Sequence, residues 1–228
     1  MSGAAIDPSH VAERAAAVRA RITAAGGGAD VAVLAVTKGF GPEAVRAAVA
    51  AGLPAVGENY AQELVEKAAA VDGDAGPTPE WHFIGRLQRN KVRSIAGLVT
   101  LWQSVDRAEV ATEIARRAPG AAVLVQLDLS GEPGKGGCPL NEGPALVDHA
   151  RGLGLDVRGL MGVGPAGPPE DARAGFRSLV ALADQLDLAV RSIGMSGDLD
   201  VAVQEGSTMV RIGRDLFGPR PATDLRPA

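Results

Sequence analysis

Val31-Ala32-Val33-Leu34-Ala35-Val36-Thr37-Lys38 is followed, after Gly39-Phe40, by Gly41-Pro42-Glu43. The first six residues form an unbroken apolar run, the pattern of a strand buried on both faces. Gly-Pro-Glu then reads as a helix start, with proline at the first helical position. A buried strand passing straight into a helix is the unit of a parallel sheet with helical crossovers. Lys38 closes the run, and an amine at the end of a buried strand needs a reason.

Working outward, the same unit recurs. Asp7-Pro8 caps a leading helix over about 8–25, with Val11, Ala15, Val18 and Ile22 at helical spacing, and Gly26-Gly27-Gly28 stops it. After the strand at 31–36, a helix runs to about Gly52. Leu53–Val56 is strand two, and Ala61–Val71 the next helix. Trp81–Ile84, Leu98–Ser104, Ala121–Leu127, Val157–Val163, Ala189–Ile193 and Thr208–Ile212 are strands three to eight. Helices over about 87–96, from a cap at Asp106 to Pro119, and over 141–153, 171–186 and 198–205 separate them. Leu216-Phe217 belongs to a last turn, and the Pro-rich tail 219–228 is expected to fray.

Eight alternating units in 228 residues predict a lean α/β (β/α)₈ TIM barrel, a fold that typically takes about 250 residues. An open doubly wound sheet is the rival, but the Gly-x-Gly-x-x-Gly fingerprint after strand one is missing. No composition break divides the chain, so 1–228 reads as one domain with an extra N-terminal helix.

Composition narrows the function. Hydrophobic residues make up 46%, the net charge is -4 and aromatics are 3%. With no basic block, nucleic acid is not an expected partner. No apolar run approaches the ~20 residues of a membrane span, and the N-terminus lacks the basic and apolar regions of a signal peptide. Cys138 stands alone, which rules out an intrachain disulfide or a zinc site built from cysteines and points to the reducing cytoplasm. His10, His82 and His149 lack zinc-ligand spacing, so no metal site is expected.

In a (β/α)₈ barrel the site lies at the C-terminal ends of the strands, and phosphates often sit after strands seven and eight. Ser192-Ile193-Gly194-Met195-Ser196-Gly197-Asp198 and Gly206-Ser207-Thr208-Met209-Val210-Arg211-Ile212-Gly213-Arg214 fall there. They are rich in the hydroxyls, glycines and backbone N–H groups that hold phosphate. Alternation puts Met209, Arg211 and Gly213 on one side of strand eight, with Val210 and Ile212 on the other. Arg211 then points inward, and Gly213 admits a close ligand. Ser196 can donate to a phosphate oxygen. A plain helix cap and a turn glycine would explain the same residues.

Lys38 reaches that rim from strand one. A desolvated lysine near positive charge offers a free amine for a Schiff base, whereas a surface lysine opening a loop is the bland alternative. Asn59 could hydrogen-bond a ligand, with Glu58 orienting a neighbour; an Asn turn is the other reading. His82 is expected to be packed in the wall. Gln88, Asn90 and Lys91 read as a solvated face, and the Glu132–Gly137 loop, with Glu132 and Lys135, is assigned no role.

Taken together, Leu34-Ala35-Val36-Thr37-Lys38, Gly57-Glu58-Asn59-Tyr60-Ala61-Gln62-Glu63, Trp81-His82-Phe83-Ile84-Gly85-Arg86-Leu87-Gln88-Arg89-Asn90-Lys91 and Gly159-Leu160-Met161 resemble the pyridoxal phosphate homeostasis protein family. Gly194-Met195-Ser196-Gly197-Asp198-Leu199 and Gly206–Gly213 complete the match, which spans about 31 to 218. The resemblance implies a barrel like the alanine racemase N-terminal domain, with pyridoxal 5′-phosphate (PLP) on Lys38. It places Arg211 at the pyridine nitrogen and Ser196 with the Gly213 and Arg214 N–H groups on the phosphate, Thr208 assisting. Asn59 would lie near the ring hydroxyl, and Met161 would line the pocket. An arginine there disfavours protonation of the ring and mutes its electron-sink chemistry.

The implied role is PLP, vitamin B6 and amino and keto acid homeostasis without robust catalysis, with PLP-dependent apoenzymes as possible partners. The alternative is a PLP-dependent amino acid racemase using Lys38 as its base. Alanine racemase needs a tyrosine from a β-domain; here the chain ends soon after strand eight, and Tyr60 is its one tyrosine. A cofactor-free Schiff-base aldolase is a third possibility. The missing dimer-forming domain makes a monomer the expectation.

Overall fold

Each of the eight apolar runs finds a parallel neighbour on either side, so no strand edge is left open. The computed structural model describes residues 6–132 and 135–220; most of the expected 219–228 tail, and Pro133 and Gly134 in the loop after the fifth strand, lie outside them. The elements are α1 (Pro8–Ala24), β1 (Ala32–Val36), α2 (Pro42–Ala50), β2 (Ala55–Glu58), α3 (Ala61–Val71), β3 (Glu80–Phe83), α4 (Arg89–Ile95), β4 (Val99–Val105) and α5 (Ala108–Arg117). They continue with β5 (Ala122–Asp128), α6 (Gly143–Gly152), β6 (Asp156–Val163), α7 (Arg173–Gln185), β7 (Val190–Ser192), α8 (Leu199–Gln204), β8 (Met209–Ile212) and α9 (Arg214–Phe217). The strands form a closed barrel in sequence order, and β8 returns to β1 with Ala32 opposite Met209 and Leu34 opposite Arg211.

Strand alternation sorts the side chains into two layers. Val33, Ala35, Val56, Phe83, Trp102, Val210 and Ile212 point outward and pack on Val45, Leu64, Ile95 and Ile114 of the helices. Leu101, Ala122, Leu124 and Met161 fill the lumen. A third cluster, including Leu127, Leu160, Phe176 and Ile193, seals α6 and α7 to the wall. Gly159 is required where β6 meets β7: a Cβ there would lie 1.9 Å from the Val190 carbonyl oxygen.

The leading helix forms as its sequence dictates. Asp7 accepts the Ser9 N–H at 2.8 Å, Pro8 occupies the first turn, and Val11, Ala15, Val18 and Ile22 are buried. Its Arg14 donates to the Leu216 carbonyl at 3.1 Å, so α1 docks beside the end of β8. No described helix is long and apolar enough to cross a membrane.

Some boundaries differ from expectation. Asp106 does not cap α5: Arg107 holds the N-cap position without a side-chain cap, because the Asp106 carboxylate is taken by the Arg107 guanidinium at 2.5 Å. Strand two starts at Ala55, not Leu53, and runs on to Glu58, since its pairing with β3 begins at Ala55 opposite Glu80 and Pro54 has no N–H to donate.

Candidate cofactor site

Four strand ends and the loops after them build the mouth at the C-terminal end of the barrel. Lys38 follows β1 by two residues and is half-buried. Its pKa is lowered, first by burial and then by the positive charges of Arg220 and Arg211, and its amine takes part in no hydrogen bond among the described residues. The Arg220 side chain reaches back over the turn, its Cδ 3.0 Å from where a Cβ on Gly39 would sit. Lys38 is thus a half-buried amine on which the positive charges of Arg220 and Arg211 outweigh the opposing ones of Glu58 and Glu63.

Arg211 projects into the lumen from β8 and is 4% exposed. One terminal nitrogen donates to the Ser192 carbonyl at 2.5 Å and to Ser192 Oγ at 2.9 Å. The other donates to the Gly162 carbonyl at 2.7 Å. Complete burial draws its pKa down to about 10, opposed by the charge of Asp198, so it remains cationic at neutral pH. The chain of bonds continues: Ser192 Oγ donates to Gln103 Oε1 at 2.7 Å, and Gln103 Nε2 lies 2.9 Å from His82 Nδ1. With the Gln103 amide donating, the His82 proton sits on Nε2. Burial pushes His82 down to about 4, so it is neutral and serves as a packed acceptor in the barrel, as its sequence context suggested.

Asn59 lies just past β2. Its Oδ1 is buried without a partner among the described residues, and a buried carbonyl of that kind costs about 1–3 kcal/mol unless a ligand satisfies it. Gly85, past β3, lets Asn59 sit there: a Cβ on Gly85 would fall 2.0 Å from the Asn59 carbonyl oxygen. Met161 is 1% exposed within the luminal cluster and forms the floor beneath the mouth.

The loops after β7 and β8 face each other. Asp198 Oδ1 accepts the Met195 N–H at 2.6 Å and closes the Met195–Asp198 turn. Asp198 occupies the N-cap of α8 but makes no side-chain cap bond there, so this segment is not a simple helix cap. Ser196 Oγ accepts the Asp215 N–H at 3.4 Å. The Gly213 and Arg214 N–H groups find no backbone acceptor among the described residues. From α1, Arg21 donates to Asp215 at 2.9 Å, to Asp200 at 3.0 Å and to the Ser196 carbonyl at 3.4 Å. The extra helix therefore braces both loops.

Thr208 is a correction. It sits at the start of β8, where its Oγ1 accepts the Arg191 N–H at 2.8 Å. Gly213 is five residues further on, about 16 Å at ~3.3 Å per residue, so Thr208 lies at the other end of the barrel from the phosphate-type donors. Gln88, Asn90 and Lys91 are exposed. Lys135 joins Glu132 and the Gly164 carbonyl, each at 2.9 Å, while Glu132 accepts the Ala166 N–H at 2.7 Å; together they tie the loop after β5 to that after β6.

Sequence reasoning missed Gln103, Ser192, Arg21, Glu63 and Lys67. For Lys67 a signal existed: it interrupts the apolar stripe of Ala61, Leu64 and Val71 on α3 and is itself 4% exposed.

The donor set suits a small aromatic aldehyde carrying a phosphate. Among the described residues it has a free amine, a pinned cation, an unsatisfied amide carbonyl and uncommitted N–H groups at the same end of the barrel. Residues 6–221 match the family described as alanine racemase, N-terminal domain. The pyridoxal phosphate homeostasis protein of Pseudomonas aeruginosa is 41% identical over 225 residues, covering 93% of this chain and 96% of that relative. PipY of Synechococcus elongatus, solved with PLP bound, is 31% identical with a TM-score of 0.80, covering 91% of this chain and 100% of its own. An alanine racemase of Corynebacterium glutamicum shares the fold at a TM-score of 0.73 and 17% identity, covering 97% of this chain and 64% of its own. A lysine and a pinned arginine at the same end of this barrel, together with these likenesses over nearly its whole length, make the chain a member of the pyridoxal phosphate homeostasis protein family.

Proposed function

We propose that the protein holds PLP as a Schiff base on Lys38 and serves PLP and amino and keto acid homeostasis in the cytoplasm, as a monomer that passes cofactor to PLP-dependent apoenzymes. When bound, PLP supplies an aldehyde that condenses with amines and a pyridine ring that can accept electrons. Lys38 is the amine, kept reactive by burial and by the positive charges of Arg220 and Arg211. Arg211 would face the ring nitrogen. Three of its five N–H donors hold it to Ser192 and Gly162, which leaves donors for the ring nitrogen, and its charge opposes a proton there. Ser196 with the Gly213 and Arg214 N–H groups would take the phosphate, Asn59 Oδ1 would meet the ring hydroxyl, and Met161 would support the ring.

One observation carries this reading: among the described residues, a lysine amine with no hydrogen-bond partner shares the C-terminal end of the barrel with a buried arginine held by two carbonyls and a hydroxyl and by no carboxylate. The test is an absorbance spectrum of the protein with PLP, before and after borohydride, followed by peptide mass analysis. A pyridoxyl adduct on Lys38, lost in Lys38→Ala, is expected. An adduct confined to another lysine overturns the site. Sustained racemisation of an amino acid that vanishes in Lys38→Ala replaces the homeostasis reading with the racemase one.

A further inference from the structure

Beneath the Lys38 turn, on the outer face of the wall between β1, β2 and α3, lies an ion cluster whose side chains point away from the lumen. Thr37 and Glu58 are 0% exposed and Lys67 is 4% exposed. Lys67 Nζ donates to the Thr37 carbonyl at 2.8 Å, to Glu58 Oε1 at 2.7 Å and to Glu63 Oε2 at 3.0 Å. All three ammonium donors are used. Glu58 Oε1 also accepts the Thr37 hydroxyl at 2.6 Å, and Glu63 Oε2 also accepts the Gly39 N–H at 2.9 Å.

Two of these contacts frame Lys38. The Thr37 carbonyl belongs to the peptide plane before Lys38, and the Gly39 N–H to the plane after it. Two planar peptides flank each Cα, so gripping both limits its φ and ψ and with them the direction of its side chain. Stability alone does not account for the cluster. Burying charges costs several kcal/mol per ion, and an apolar replacement is often neutral or better. Two carboxylate oxygens here, Glu58 Oε2 and Glu63 Oε1, are buried without partners among the described residues, which adds to that cost. Fixing one arrangement among alternatives is an attested use of such groups in some proteins.

We propose that Glu63 and Lys67 are positioning residues for Lys38, gripping its two flanking peptide groups so that its amine faces the mouth beside Arg211. This inference rests on the reading of Lys38 as the residue that takes PLP. The residues act through the backbone of Lys38 and touch no ligand.

The test measures the rate at which borohydride traps PLP on Lys38 in the full-length protein, alongside the urea unfolding midpoint. Glu63→Ala is expected to slow trapping about tenfold to a hundredfold, the scale of a misplaced reacting group. Glu63→Gln keeps an acceptor for the Gly39 N–H and restores most of that rate. A purely structural role would move the midpoint and leave the trapping rate unchanged, and that result in folded Glu63→Ala overturns the proposal. If Glu63→Ala does not fold, Lys67→Met decides by the same measurement. Hydrogen exchange of the Gly39 amide in the unaltered protein gives a second check: protection is expected, and exchange at the rate of free peptide overturns the clamp. Failure of the unaltered protein to form any Lys38 adduct counts against the PLP reading, while Gly39 protection still judges the clamp.

Discussion

Ser192 Oγ donates to Gln103 Oε1 at 2.7 Å across the lumen, joining β7 to β4, strands that are not neighbours in the barrel. This bond links the Arg211 end of the polar chain to His82. It turns four separate side chains into one buried line, in which each member satisfies the next.

Removing the middle of that line is costly. Gln103→Leu leaves the Ser192 hydroxyl without its acceptor and His82 Nδ1 without its donor, at about 1–3 kcal/mol for each unsatisfied group. Urea unfolding is expected to show a lower midpoint with an unchanged slope. An unchanged midpoint would mean the luminal chain contributes nothing.

His82 makes stability depend on pH. Its ordinary value of 6.5 falls to about 4 in the folded protein. Below pH 6.5 the unfolded chain binds a proton that the folded one refuses, so stability is lost as pH falls from 6.5 through 4. The lost contribution is about 3 kcal/mol at 1.36 kcal/mol per pKa unit. Glu58, pushed from 4.5 up to about 7 by burial, works in the opposite sense between those values, losing stability as pH rises. His82→Gln retains Glu58 and cannot titrate. The stability of the two proteins should therefore converge as the pH is lowered; parallel curves would contradict the buried neutral imidazole.

Gly85 sets the height of Asn59. In Gly85→Ala the added methyl would meet the Asn59 backbone at 2.0 Å, and backbone cannot swing aside as a side chain can. A stability loss on the order of 1–3 kcal/mol is expected from the forced shift. PLP affinity should fall with it, because Asn59 Oδ1 is moved. Calorimetric unfolding and a PLP titration check both parts.

Arg21 separates bracing from bulk stability. Its side chain is 38% exposed, and its partners Asp215 and Asp200 are 30% and 55% exposed. Arg21→Ala should therefore cost less than about 1 kcal/mol in unfolding experiments, as exposed ion pairs do. PLP titration should nonetheless show severalfold weaker binding, since the Ser196 and Asp215 loops lose their common tie. Equal affinity in the two proteins would show that α1 plays no part in the site.

How much of this was legible in the sequence can be seen residue by residue. Lys38, Arg211 and Gly213 were visible because each stands at a strand end, where alternation and the C-terminal rim of a barrel define face and height together. Thr208 was misjudged because its motif begins before the strand does, and adjacency in sequence says nothing about which end of the barrel a residue occupies. Gln103 and Ser192 are 89 positions apart, and no periodicity joins them. Lys67 was detectable as a charge in an apolar stripe, but its partners were not.

By itself, the sequence determined the alternation of strands and helices, the closed barrel and the amine and cation at its mouth. Those follow from apolar periodicity and strand-end residues, which are local signals. Only the tertiary structure decided the luminal line from Arg211 to His82, the brace from Arg21 and the grip of Glu63 and Lys67 on the peptides around Lys38. Each depends on the stagger of strands and the docking of helices, which bring distant polar groups within hydrogen-bonding distance and away from water.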